Sequence, residues 1–162
     1  VTTSTPLYGS VNTMTCTLAS LPSSATAGRQ SVVVDNQGTD LAIDSIVQVK
    51  VTTGTSPTVN TTIQIWAFGT ADGTNYSGGN LGTVDQTITP TGVNQLRLLE
   101  TIVVTATSNA TYGGGPYSIQ NAFGGTMPRK WGIFVLNSTG VALNATGGNH
   151  SVQYTPVKYQ SL

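Results

Sequence analysis

Apolar and polar residues alternate with period two along much of this chain, the spacing that sends successive side chains to opposite faces of a β-strand. The clearest run is Ala42 to Thr53. Ile43, Ser45, Val47, Val49 and Val51 fall on one side, and Asp44, Gln48, Lys50 and Thr52 on the other. Thr62 to Gly69 repeats the pattern, with Ile63, Ile65 and Ala67 opposite Gln64, Trp66 and Phe68. Met14, Cys16 and Leu18 alternate with Thr13, Thr15 and Thr17, which predicts a strand with one apolar face. Further strands are predicted over Arg29 to Asp35, Thr83 to Thr89 (ended by Pro90), Asn94 to Ala106, Trp131 to Leu136 and Asn149 to Tyr159. That makes about eight.

Turn chemistry separates them. Asn36-Gln37-Gly38, Gly54-Thr55-Ser56-Pro57, the stretch Ala71 to Asn80 with its Asp72-Gly73 pair, and Asn137-Ser138-Thr139-Gly140 all read as turns. Gly113-Gly114-Gly115-Pro116 reads as a separator before one short helix within Tyr117 to Gly124. Ser118 is suited to cap the start of that helix, and Gly124 to take the left-handed position after it. The expected fold is all-β: an antiparallel, jelly-roll-like sandwich. Residues 1–27 are expected to form an extended arm containing one strand, and residues 28–162 a single sandwich domain.

Composition agrees with the pattern. The chain has 162 residues, of which 28 are Thr and 14 are Ser, while Glu occurs once and Lys three times. β-Branched residues suit a pleated surface, and the usual residues of exposed helix faces are nearly absent. Only 7% of residues are charged and the net charge is zero. A duplex nucleic-acid binder needs clustered cations to displace counterions, and charge-driven disorder needs a high net charge, so both classes are excluded. One cysteine, Cys16, rules out an intrachain disulfide. No apolar run approaches the ~20 residues of a membrane helix. The first ten residues lack the cationic start and apolar run of a secretory signal.

Candidate chemistry is sparse. The single imidazole, His150, has no Gly-x-Ser-x-Gly elbow to serve and reads as a surface or subunit-contact residue. Six acids (Asp35, Asp40, Asp44, Asp72, Asp85 and Glu100) show no spacing that suggests a catalytic pair, and Glu100 with an Asp is the best enzymatic guess. One Cys and one His cannot make a standard structural zinc site. Cys16, between Met14 and Leu18, reads as a buried thiol. Asp72 with Asn75 is either a fragment of a calcium loop or ordinary turn chemistry, the turn being the simpler account. No catalytic residue, metal or cofactor is expected. Trp66 and Phe68 either lie on a strand buried on both faces or form an aromatic platform for sugar or protein. Arg129-Lys130 is the only adjacent cation pair, and either meets acids of a neighbouring subunit or is solvated.

Several stretches together resemble a family of small virion-structure proteins of tailed bacteriophages and prophages. They are Ala27-Gly28-Arg29-Gln30-Ser31 with Asp35-Asn36, Gly54-Thr55-Ser56-Pro57-Thr58 and Ala71-Asp72-Gly73-Thr74-Asn75-Tyr76. Tyr112-Gly113-Gly114-Gly115-Pro116, Ala122-Phe123-Gly124-Gly125, Pro128-Arg129-Lys130-Trp131-Gly132-Ile133 and Gly147-Gly148-Asn149-His150 follow in order. The series spans residues 27–155 and leaves the arm outside. It implies a non-enzymatic virion protein on the capsid surface, a decoration or cement protein that bridges capsomers. The implied partners are the major capsid protein and further copies of the chain, with a homotrimer preferred. A tail, fibre or adhesion module that binds cell-surface glycan is the alternative. The residues singled out for a partner interface are Leu7, Tyr8, Trp66, Phe68, Tyr76, Arg129 and Lys130.

Overall fold

The computed structural model describes residues 4–37 and 41–161. Gly38 of the first expected turn and the acid Asp40 lie outside them. Among the described residues the fold is an antiparallel β-sandwich of eleven strands with one short α-helix. One sheet holds β1 (Ser4–Tyr8), β11 (Ser151–Ser161), β5 (Asp44–Thr52) and β9 (Thr111–Ser118) in that order, with β2 (Asn12–Thr13) also paired to β11. The other runs β7 (Gln86–Ile88), β3 (Gly28–Gln30), β10 (Lys130–Asn137), β6 (Thr62–Thr70) and β8 (Arg97–Val103), with β4 (Val34–Asp35) also on β10. No two strands adjacent along either order are consecutive in sequence, so every pairing is closed by a chain that leaves and returns, as in Greek-key and jelly-roll folds.

The period-two runs bury the face they predict. Val47, Val49, Val51 and Val152 of one sheet meet Ile63, Ile65, Ala67, Ile133 and Val135 of the other. Trp131 is wholly buried between the sheets, edge-on to Tyr154 with ring centroids 5.4 Å apart. Each such side chain contributes roughly 1.5–3 kcal/mol on burial.

Eleven strands stand where eight are expected, for three local reasons. The 29–35 run is split because the Ser31 hydroxyl accepts the Ile133 amide at 2.9 Å, which interrupts the ladder between β3 and β4. Ser4–Tyr8 is a strand in its own right. The glycine run is no separator but the middle of β9. A Cβ at Gly114 would lie 2.2 Å from the Tyr117 hydroxyl, and one at Gly115 would lie 2.6 Å from the Val47 carbonyl. Glycine is therefore set by close packing here, and a bulge between Val47 and Val49 absorbs the irregularity.

The run through Met14, Cys16 and Leu18 pairs as a strand only at Asn12–Thr13. Beyond it the chain crosses between the sheets. The Met14 amide donates to Val152 of one sheet, and Thr15 accepts from Val32 on the other side. Met14, Leu18 and Leu21 join the main core, so this part of the expected arm packs as part of the sandwich. The expected helix is present as α1 (Ile119–Ala122). The Ser118 hydroxyl accepts from the Asn121 amide at 3.0 Å, and Gly124 takes φ +76.

Candidate partner interface

The two outer faces of the sandwich differ. On the six-stranded sheet, Phe68, Phe134 and Leu136 point outward and are covered by Tyr76, Leu81 and Leu96, all contributed by the 71–96 segment. Phe68 meets Tyr76 edge-on at 5.9 Å. A Cβ at Gly132 would come within 2.5 Å of the Phe68 ring, so glycine on β10 makes room for it. This is a second core. Phe68 is wholly buried and Tyr76 nearly so. Neither presents the aromatic platform for sugar or a partner that the sequence allows, and the doubly buried strand is the arrangement found. Trp66 is half-buried at the margin of the same cluster.

The five-stranded sheet carries no such second core among the described residues. Gln48 and Gln153 are directly opposite on β5 and β11, as are Lys50 and Ser151, and Ile46 and Thr155. Gln48, Lys50 and Gln153 are exposed. A groove of about 550 Å³ runs over Gln48, Lys50, Gly113, Gly115, Ser151 and Gln153. A second hollow of about 330 Å³ shares Gln48 and Gln153 and adds Val11, Ile46, Pro116 and Thr155. The trough is polar at one end and apolar at the other, with Lys50 its single cation, held on the Gly148 carbonyl at 3.1 Å.

The apolar end continues onto β1. Pairing places Tyr8 opposite Val157 and Pro6 opposite Tyr159, on one face. Exposure is 47% at Leu7, 67% at Tyr8, 64% at Val11 and 65% at Tyr159, an unusual concentration of large apolar side chains in water. Leu7 and Tyr8 are thus surface residues. They sit on a strand that pairs with its own chain.

β1 is weakly held. The Gly9 amide donates to the Pro156 carbonyl at 2.8 Å, which fixes the hydrogen-bonded positions as Thr5, Leu7 and Gly9. About five backbone bonds result, each worth ~1 kcal/mol net, against an ordering cost of ~1–2 kcal/mol per residue. The same alternation points the backbone groups of Ser4, Pro6 and Tyr8 at open solvent. Pro6 has no N–H, so the middle donor of this sheet edge is missing, a common way of blunting an edge strand.

The cations at 129 and 130 are occupied within the chain. Lys130 pairs with Asp35 at 3.4 Å, and the exposed Arg129 donates to the Asp72 carbonyl at 3.2 Å. Beside them a cleft of about 650 Å³ opens between Thr70, Ala71, Phe123, Met127, Pro128 and Leu41 at one end of the sandwich.

The remaining polar groups serve structure. His150 is buried; its Nδ1 accepts from the Thr52 amide at 3.3 Å and its Nε2 faces the Asn144 carbonyl at 2.8 Å. It is not a surface residue of the chain, but a tie between strand and loop. Asp72 accepts from the Asn75 and Thr74 amides, the Asn75 side chain and the Thr70 hydroxyl, which hold its carboxyl far below the usual range. That is turn chemistry. Glu100 accepts from the Tyr117 hydroxyl at the corner where β8 meets β9; burial first, then Glu100, pushes this phenol up. Asp44 accepts from the Ser118 hydroxyl and the Gln120 and Ser45 amides. Cys16 is half-buried, and enclosure of its thiol beside Asp85 pushes it well above the ordinary value.

Asp85 is the strongest polar tie and one the sequence did not single out. It accepts from Arg29 Nε at 2.6 Å and from the Thr17 amide and hydroxyl. Burial alone would raise this carboxyl, but the guanidinium and the Thr17 donors together hold it below its ordinary value. Gln30, wholly buried, donates to the Val84 carbonyl and accepts from the Gly82 amide. The crossing segment, β3 and the loop before β7 are thereby clasped together.

Among the described residues, no three His, Cys, Asp or Glu side chains lie close enough to hold a metal, and no helix is long and apolar enough to cross a membrane. No family model, curated protein or solved structure matches the chain.

Proposed function

We propose that this chain is a non-enzymatic structural protein of a phage virion, a decoration protein that binds the outer capsid surface and stabilises the head by bridging capsomers. The ordered series of motifs over residues 27–155 supplies the kind of particle. The observation in the structure that carries the reading is the inequality of the two outer faces. One is sealed by the chain's own 71–96 segment; the other stands open, low in charge, beside exposed Tyr8, Val11 and Tyr159. Covering Gln, Thr and Ser costs far less than covering Lys or Glu, so such a face suits burial against another protein. Its partners are the major capsid protein and other copies of the chain, in a trimer.

Removal of the protein from purified virions tests this. Stripped heads are expected to burst at lower temperature or under milder osmotic shock, with copy numbers in the hundreds per particle. Unchanged head stability, or a few copies at the tail, would overturn it and favour a tail or adhesion module.

A further inference from the structure

We infer that β1 is an exchangeable strand: in the assembled protein it leaves its own β11 and pairs with β11 of a neighbouring copy, in the register it adopts here. The inference rests on the assembly role proposed above, and it identifies the contact that joins copies to each other.

Four observations lead to it. β1 is held by backbone pairing to β11, while its own side chains at Ser4, Pro6, Leu7 and Tyr8 are exposed. The chain after it is firmly fixed, with Met14 buried in the core and Thr17 held by Asp85. Between the two, Ser10 and Val11 are exposed, which places a hinge at residues 10–11. A strand with weak hold and a short hinge before a fixed anchor is the arrangement that permits exchange of identical elements between protomers.

Pro6 decides between exchange and simple addition. A neighbour's strand laid along the outside of β1 would find no donor at its centre, because Pro6 faces that side without an N–H. A neighbour's β1 on β11 meets the same donors, acceptors and side-chain partners seen within this chain. Exchange therefore loses no pairing. It also brings two copies together at the site where Tyr8, Val11 and Tyr159 otherwise face water.

Pro6 and Tyr159 are directly opposite and not hydrogen-bonded to each other, the cross-strand position with the closest side chains and one compatible with a disulfide. The test uses the full chain with Cys16→Ser and either Pro6→Cys, Tyr159→Cys or both. After oxidation of purified protein, the double variant is expected to run as covalently linked oligomers on a non-reducing gel. A tagged P6C chain mixed with Y159C is expected to give a mixed dimer. A double variant that oxidises only to an internally linked monomer, with no mixed dimer, would overturn the inference. Removing residues 1–8 is expected to reduce the assembly to single chains by light scattering while the circular dichroism spectrum is kept; an unchanged assembly size would also overturn it. No capsid is present in these experiments, so their failure is separate from a failure of the decoration role, which is read on stripped particles.

Discussion

The outer face of the six-stranded sheet and that of the five-stranded sheet begin from the same sequence device, a period-two strand, and end in opposite states. On β6 the outward positions are Trp66 and Phe68, and a returning loop covers them. On β5 they are Gln48 and Lys50, and they remain in water. The difference lies in what the outward positions carry. Aromatic rings left exposed draw a lid from the same chain, because each burial contributes a few kcal/mol. Amides do not require one. The face left bare is therefore the one whose exposure costs the isolated chain little, and whose covering by a partner also costs little.

The comparison is broken most severely by Phe134→Ala. This ring supports the lid from beneath, and its loss is expected to cost roughly 3–5 kcal/mol, read as a fall in the urea midpoint. A loss under about 1 kcal/mol would mean that the lid is not a core. Next is the corner at Gly114, where an alanine Cβ collides with Tyr117 and Ile65. Gly114→Ala is expected to cost about 1–3 kcal/mol, since β9 must shift from β5.

Asp85→Asn comes third, at roughly 1–2 kcal/mol through its weakened bonds to Arg29 and Thr17. Here pH sharpens the picture. The folded carboxyl is held below its ordinary value, so its contribution is full above the unfolded value of about 4 and is lost as pH falls through the folded value. The native chain should lose stability over that acid range. The asparagine variant should lose less, and equal acid sensitivity of the two would remove Asp85 from the account.

The smallest effect on stability is expected on the open face. Gln48→Ala with Gln153→Ala should change the melting free energy by no more than about 0.5 kcal/mol. The same pair should weaken attachment to capsids, measured by co-sedimentation with stripped heads. A stability loss as large as that of Phe134→Ala would make the two faces equivalent and dissolve the distinction.

Much of the sandwich was legible because alternation needs no knowledge of the partner strand. Val47, Val49 and Val51, and Ile63 and Ile65, announce the inner face by spacing alone. The Ser118 cap and the Asp72 turn were legible for a similar reason, since both are satisfied within a few residues. The lid was not. Tyr76 and Leu81 sit in stretches dense with glycine and asparagine, which read as loop, and Leu96 falls in an expected strand with no period in common with them. Period two showed that Trp66 and Phe68 share a face but could not show what covers it. β9 was missed because its glycines owe their place in part to Val47 and Glu100, which lie outside it in sequence. The Asp85 clasp, spanning 68 residues to Thr17, left no local trace. Leu7 and Tyr8 were found as exposed residues, whereas their pairing to β11 depends on the far end of the chain.

Hydrogen exchange of the free protein against the protein bound to capsids tests the central claim most directly. Slowed exchange on binding is expected at residues 4–13, 44–50 and 151–160, the open face and its edge, with the 71–96 lid unchanged. Slowed exchange confined to the lid, with the open face unaffected, would contradict it.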